Sequence, residues 1–152
     1  MFDLEKMHGT FKGTIAECMF KLTNKRVVVT KFFNKKKYFE IFGKYFNGEQ
    51  ISFLEGNWYS IDAIEINFDY GVKHLILYEI KSKNAYFAKG GFPFKITQNT
   101  YNIYTKSKDM GFEPKFAVVW FFKDWKFDIS IRDFDQSNWV IDKSKSYDKG
   151  SF

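Results

Sequence analysis

Residues 57–84, NWYSIDAIEINFDYGVKHLILYEIKSKN, hold the pattern from which the rest of the chain is read. Leu75-Ile76-Leu77-Tyr78-Glu79-Ile80-Lys81 has the aliphatic, aromatic and β-branched content of a buried strand, yet ends in a carboxylate and an ammonium. Strand side chains alternate with a period of two, so Glu79 and Lys81 share one face and Ile80 takes the other. Tyr59 to Ile66 is also strand-like and carries Asp62, and residues 67–73 read as a loop. A hairpin folded about a centre between Tyr70 and Gly71 sets Asp62 opposite Glu79. Opposed positions on an antiparallel pair lie about 4.5–5.5 Å apart at Cβ, and like charges there repel. A hard divalent cation offsets that repulsion: Mg²⁺ takes oxygen ligands, typically one or two carboxylates with waters and substrate phosphate. Lys81 then adds a cation beside the bound water or the scissile phosphate. The bland alternative is a surface hairpin whose Glu79 and Lys81 form an ion pair of at most ~1 kcal/mol.

Asp62, a gap, and Glu79-Ile80-Lys81 resemble the PD-(D/E)xK nuclease signature, and with Ser82 the run is similar to that of the archaeal Holliday-junction resolvases in particular. The family's proline before the aspartate is absent, since Ser60 and Ile61 stand there. The resemblance spans roughly residues 10–132 as an order of elements and only a handful of positions as residues. It implies an α/β fold, a restriction-endonuclease-like αβββαβ core in which helices flank a central mixed sheet. It also implies a Mg²⁺-dependent DNA endonuclease, with Mn²⁺ able to substitute, preferring a DNA structure such as a four-way junction. Asp62 and Glu79 would hold the metal, the Ile80 carbonyl would add a ligand, and Lys81 would act on the water. Such nucleases often carry a glutamate on the first helix that completes the metal site. Glu17 in Lys12-Gly13-Thr14-Ile15-Ala16-Glu17 is its counterpart. A homodimer would present two sites to a two-fold symmetric substrate. The rival is a nucleic-acid-binding or assembly protein that uses the same sheet without cutting.

The composition agrees with a polyanion partner. The chain has 152 residues, the size of one domain, which we place at residues 1–143 with a mobile tail at 144–152. Lys and Arg number 24 against 18 Asp and Glu, a net charge of +6. One cysteine, Cys18, excludes an internal disulfide and a Cys-rich zinc site, which suits a reducing, cytoplasmic setting. No run of about 18 apolar residues is long enough to span a membrane. Residues 1–9 carry acids and no apolar stretch, unlike a secretory leader.

In chain order, Thr10 to Leu22 reads as a helix burying Phe11, Ile15, Cys18, Met19 and Leu22. That stripe makes Cys18 a core thiol and turns Glu17 outward, where an i,i+4 pair with Lys21 is the ordinary alternative to a metal ligand. Arg26 to Thr30 is a short strand. Residues 31–50 mix Lys35-Lys36-Lys37 with rings, and Asn47-Gly48 signals a hairpin between strands, with a helix over 35–46 left open. The rings read as core and some of the lysines as phosphate contacts. Residues 84–93 are a loop, followed by a helix from Lys95 to Lys108 with Ile96, Thr100, Ile103 and Met110 inward. Phe116 to Phe122 is a central strand and Lys126 to Arg132 an edge strand joined to it around Lys123-Asp124. Lys35, Lys36, Lys37, Lys83, Lys89, Lys95 and Gln98 are the candidate nucleic-acid contacts; Gln98 rests on the resemblance, which puts a polar residue of that helix against the nucleic acid.

Overall fold

A computed structural model of the chain describes residues 9–85, 94–124, 126–136 and 139–142. Its centre is a five-stranded mixed sheet in the order β1-β2-β3-β5-β6, built from Val27–Val29, Ala63–Asp69, Val72–Asn84, Glu113–Phe121 and Phe127–Asp133. β3 and β5 are parallel, and the other neighbours are antiparallel. Four α-helices occur among the described residues: α1 Gly9–Thr23, α2 Lys35–Phe42, α3 Gly48–Gly56 and α4 Gln98–Asp109. Taken as α1-β1-β2-β3-α4-β5, the core has the expected αβββαβ order, with α2 and α3 inserted between β1 and β2. β4 (Phe94–Thr97) and β7 (Trp139–Asp142) pair as a separate parallel ribbon. No described helix is long and apolar enough to cross a membrane.

β3 is the spine because its residues 75–80 are buried on both faces. Even-numbered Ile76, Tyr78 and Ile80 pack with Ala16 and Phe20 of α1. Odd-numbered Leu75 and Leu77 pack on the other side with Tyr38, Phe53, Leu54, Trp58, Ile103 and Tyr104. That second layer is ring-dense: Tyr38 lies 4.8 Å from Phe42 and 5.2 Å from Trp58 between centroids. The rings of residues 31–50 are thus mostly core, as expected. β5 is buried along most of its length and β6 forms the edge, joined by a turn in which Asp124 adopts a positive φ of 62°.

Several expectations are corrected. Residues 31–50 are helical: Asn34 caps α2 by accepting from the Lys37 N–H, and Asn47 forms a capping box with Gln50. An asparagine before a glycine serves a helix start as well as a hairpin turn, because the same side-chain oxygen satisfies either set of N–H groups. The loop at 67–73 shrinks to the two-residue turn Tyr70-Gly71, and Trp58–Ser60 is a 3₁₀ turn that delays the start of β2 to Ala63. Lys95 and Ile96 belong to β4, so α4 starts only at Gln98, capped by Thr97. α1 occupies its predicted span, but Lys12, Ala16 and Phe20 are buried while Phe11 and Leu22 stay exposed, 53% and 76%. Cys18 is exposed, not a core thiol. The small Ala16 lets the helix approach the sheet closely, and Lys12 brings its ammonium over the Phe121 ring, 5.7 Å from the centroid, and onto the Asn84 side chain. The 144–152 tail and most of the 84–93 loop lie outside the described residues.

The helical reading of residue 48 is directly testable. Nothing lies within 4 Å of a Cβ placed on Gly48, which is the first residue of α3 and has no positive φ. Gly48→Ala should therefore raise stability in urea by about 0.4–1 kcal/mol. In a hairpin turn with φ > 0 the same change would destabilise. Asn47→Ala should lower stability by about 1 kcal/mol through loss of the cap.

Candidate metal and phosphate site

The β2–β3 register runs from Ala63 opposite Tyr78 to the turn, and just before it the Asp62 carboxyl meets that of Glu79 through a side-chain hydrogen bond, so the two are brought together as anticipated. Asp62 sits where β2 begins while β3 continues to Asn84, leaving a notch in the sheet. The notch is held by hydrogen bonds rather than packing alone. The Asp62 N–H donates to the Tyr78 carbonyl at 3.2 Å, and the Asp62 carbonyl accepts from the Thr30 N–H at 3.1 Å. The Tyr104 hydroxyl accepts from the Asp62 N–H at 3.2 Å and donates to the Tyr78 carbonyl at 2.7 Å. Asp62 Oδ2 in turn accepts from the Ile80 N–H at 2.8 Å, so the carboxylate itself continues the strand pairing.

Glu79 is buried, 6% exposed, with Lys81 Nζ at 3.5 Å from its Oε1. Burial is the largest reason the Asp62 carboxyl titrates above the usual range; the Ile80 N–H, Lys81, a hydrogen bond with Glu79 and Lys31 act against it. A hydrogen bond between two carboxyls requires a proton between them, the metal-free answer to their repulsion. Burial also pushes the Tyr104 hydroxyl well above its ordinary value, helped by the charges of Glu79 and Asp62.

Glu17 joins this cluster from α1. Because the helix buries Ala16 and not Cys18, the neighbouring Glu17 turns toward the β1 side, where Lys31 Nζ lies 3.4 Å away. Its pKa is raised to about 7, first by burial and then by Asp62, with Lys31 opposing. The alternative pair with Lys21 does not form, since that ammonium donates to the carbonyls of Lys25 and Val27.

The candidate nucleic-acid contacts are spread more widely. Lys35, Lys36 and Lys37 form the first turn of α2, with Lys36 and Lys37 exposed and Lys35 near the Tyr59 ring. Lys83 follows Lys81 on the face of Glu79 and lies 5.3 Å from the Phe94 ring centroid. Lys95 is exposed on β4, and Gln98 is exposed at the start of α4, bonded to Asn102. Lys89 lies outside the described residues.

Two contributors escaped the sequence reading. Tyr104 was legible in principle: Thr100, Ile103, Tyr104 and Ser107 are the buried residues of α4 at helical spacing, and a buried tyrosine needs a partner for its hydroxyl. Lys31 carried no signal, because its role depends on where the 3₁₀ turn Thr30–Phe32 places it.

Among the described residues, no group of three or more His, Cys, Asp or Glu side chains is arranged to hold a metal ion. The hard-oxygen donors that the structure brings to the notch are the Asp62 and Glu79 carboxyls, with Glu17 engaged by Lys31. Two carboxylates suffice for Mg²⁺ when water and phosphate complete its shell. Comparison with protein-family models, curated proteins and solved structures finds no match for this chain.

The raised Glu17 pKa predicts a pH-dependent stability. Between the ordinary 4.5 and about 7 the folded chain binds more protons than the unfolded one, so metal-free stability should fall as pH climbs through that window and stay lower above it. Glu17→Gln should flatten the fall and be more stable than the parent at pH 8, by an amount on the order of 1 kcal/mol after solvent screening. Urea titrations at pH 5 and pH 8 measure both.

Proposed function

We propose that this chain is a divalent-cation-dependent nuclease that hydrolyses phosphodiester bonds in DNA, in the manner of the PD-(D/E)xK enzymes its motif resembles. The observation that carries this reading is the notch at Asp62: two carboxyls in contact just before β2 begins, with Lys81 3.5 Å from Glu79 on the same strand face. Buried like charges in contact are unfavourable unless a proton or a cation sits between them. A surface ion pair, the ordinary alternative, does not explain why Glu79 is buried against an aspartate.

Mg²⁺, or Mn²⁺ in its place, would supply polarisation of the phosphate and a bound water of lowered pKa. Asp62, Glu79 and the Ile80 carbonyl would hold it. Lys81 orients the attacking water and offsets negative charge that grows on the phosphoryl oxygens. Glu17, titrating near neutrality, takes up a proton released beside Asp62. The Tyr104 hydroxyl fixes the Asp62 backbone to that of Tyr78, which keeps the two carboxylates opposed. The net charge of +6 and the lysines at 35–37, 83 and 95 favour a polyanion. A preference for branched DNA and a two-site homodimer belong to the same proposal. A binder that does not cut is the second reading, favoured by Glu17 being held on Lys31.

Supercoiled and linear DNA incubated with the protein and either Mg²⁺ or EDTA should be cut only with the metal. Asp62→Ala and Glu79→Ala should each lower cleavage by at least about a hundredfold while leaving DNA affinity intact or slightly tighter, since each removes negative charge facing the phosphate. Activity equal to the parent in either variant would remove the pair from the site, and binding without metal-dependent cleavage would establish the second reading. Mg²⁺ should also raise Tm at neutral pH, by the equivalent of about 2.7 kcal/mol at a hundredfold excess over Kd. In Asp62→Asn/Glu79→Gln that rise should vanish, and the metal-free form should melt above metal-free parent.

A further inference from the structure

The far end of the β2–β3 hairpin has features that neither the core nor the notch uses. Phe68, Tyr70 and Val72 expose 52%, 101% and 57% of their surface. Tyr70 has a φ of 49° and Gly71 of 78°, so both residues of the turn are left-handed. Two-residue turns of that kind favour Asn-Gly or Asp-Gly; a bulky, fully exposed tyrosine at the first position is conformationally unfavourable and gains nothing from burial. A strained residue with no structural reward points to a role outside the fold.

The surroundings say what the tip would take. Phe68 is paired with Lys73, so both point to one face of the hairpin. On that face Tyr45 meets Phe68 at 5.8 Å between ring centroids, edge to face. Lys44 Nζ stands 5.3 Å from the Tyr45 ring centroid, and Lys73 Nζ donates to the Tyr45 carbonyl at 2.7 Å. The acid of the hairpin tip, Asp69, is paired with Val72 and points to the opposite face. Rings and ammonium groups therefore share a surface from which the nearest carboxylate of the strand is turned away. A purely apolar protein partner would not match two lysines, whereas a polyanion with aromatic faces matches both the charge and the rings.

We propose that the tip built from Phe68, Tyr70, Tyr45, Lys44 and Lys73 is a binding site for unpaired nucleic-acid bases, stacking them on Tyr70 and Phe68 while the lysines meet the flanking phosphates. This deepens the nuclease reading and rests on it for its place in a reaction. Lys73, the partner of Phe68, lies on the same face of β3 as Glu79, six residues along the strand, which is about 20 Å. An unpaired stretch held at the tip keeps the adjoining strand about six base steps from the notch, which selects branched or frayed DNA over continuous duplex.

Fluorescence anisotropy in EDTA, on the full chain carrying Glu79→Gln, separates this binding from cleavage; the probes are a labelled 12-nucleotide oligothymidylate and a 12-base-pair duplex. Tyr70→Asn and Phe68→Ala should each weaken the single strand roughly five- to hundredfold and the duplex much less, while Tyr70→Phe keeps the affinity. Lys73→Gln should lower the salt slope by about one. Tyr70→Asn should at the same time raise Tm, because asparagine accepts the left-handed conformation more readily. A higher Tm with unchanged oligonucleotide affinity would overturn the proposal and leave the tip a tolerated irregularity. Loss of single-strand binding in tip variants of a protein that never cuts DNA would sustain the tip and defeat the nuclease reading; metal-dependent cutting with unaltered tip-variant binding would do the reverse.

Discussion

The register of β2 on β3 is the constraint on which the rest depends. A slip of one residue would send Ile64 and Ile66 to the α1 side of the sheet and Ala63 and Glu65 into the ring-dense layer, so both cores would be lost together. Two devices hold the register from opposite ends. At one end the Tyr70-Gly71 turn leaves no slack, since both residues take the left-handed conformation that a two-residue connection requires. At the other, the Tyr104 hydroxyl bridges the Asp62 N–H and the Tyr78 carbonyl. α4 thus acts on the site without contributing a charged group to it.

With the register fixed, the placement of Asp62 and Glu79 is an electrostatic liability that the fold tolerates. Removing a carboxylate from water is strongly unfavourable unless it is paired or protonated, and two in contact compound the problem. The Ile80 N–H, Lys81 and Lys31 each reduce it, yet burial still prevails and the Asp62 carboxyl remains raised. A core designed for stability alone would hold apolar residues here, as β3 does at Leu75 and Leu77. The retained charge is the physical ground for the proposed catalytic role: a divalent cation would convert the least stable part of the sheet into a satisfied one.

Legibility from sequence followed the strength of the local period. The alternation through residues 75–81 fixed which side chains share a face, and the Tyr70-Gly71 centre fixed the partner strand, so the opposition of Asp62 and Glu79 could be read directly. The α2–α3 insertion could not, because Asn47 offers the same hydrogen-bonding oxygen to a hairpin and to a helix start, and rings at 38, 39, 42, 45 and 46 fit either period. The orientation of α1 was misread for another reason. Counting large apolar side chains selected Phe11, Ile15 and Leu22, whereas contact with a sheet is decided by how closely the backbone can approach, which favours Ala16 with Phe20. That rotation places Glu17 beside Lys31 and in the field of Asp62, a consequence of tertiary packing that no helical wheel drawn on size alone contains.

The hairpin departs from local consistency at both of its ends, and in different ways. Its base holds charges where the interior favours apolar groups; its apex holds a ring where the backbone favours asparagine or glycine. Between them, Ile64, Ile66, Leu75 and Leu77 obey every rule of a buried strand pair. Conflicts confined to the two ends of an otherwise regular element are expected where the ends meet something outside the fold, since the well-packed middle can carry the destabilisation of both. The two ends also share a face, because Glu79 and Lys73, the partner of Phe68, are an even number of residues apart on β3. A rigid strand pair with a carboxylate notch at one end and a basic aromatic tip at the other is a ruler of fixed length. On the proposed reading, a partner that engages both ends would offer phosphate and exposed base at that spacing, which a uniform duplex does not.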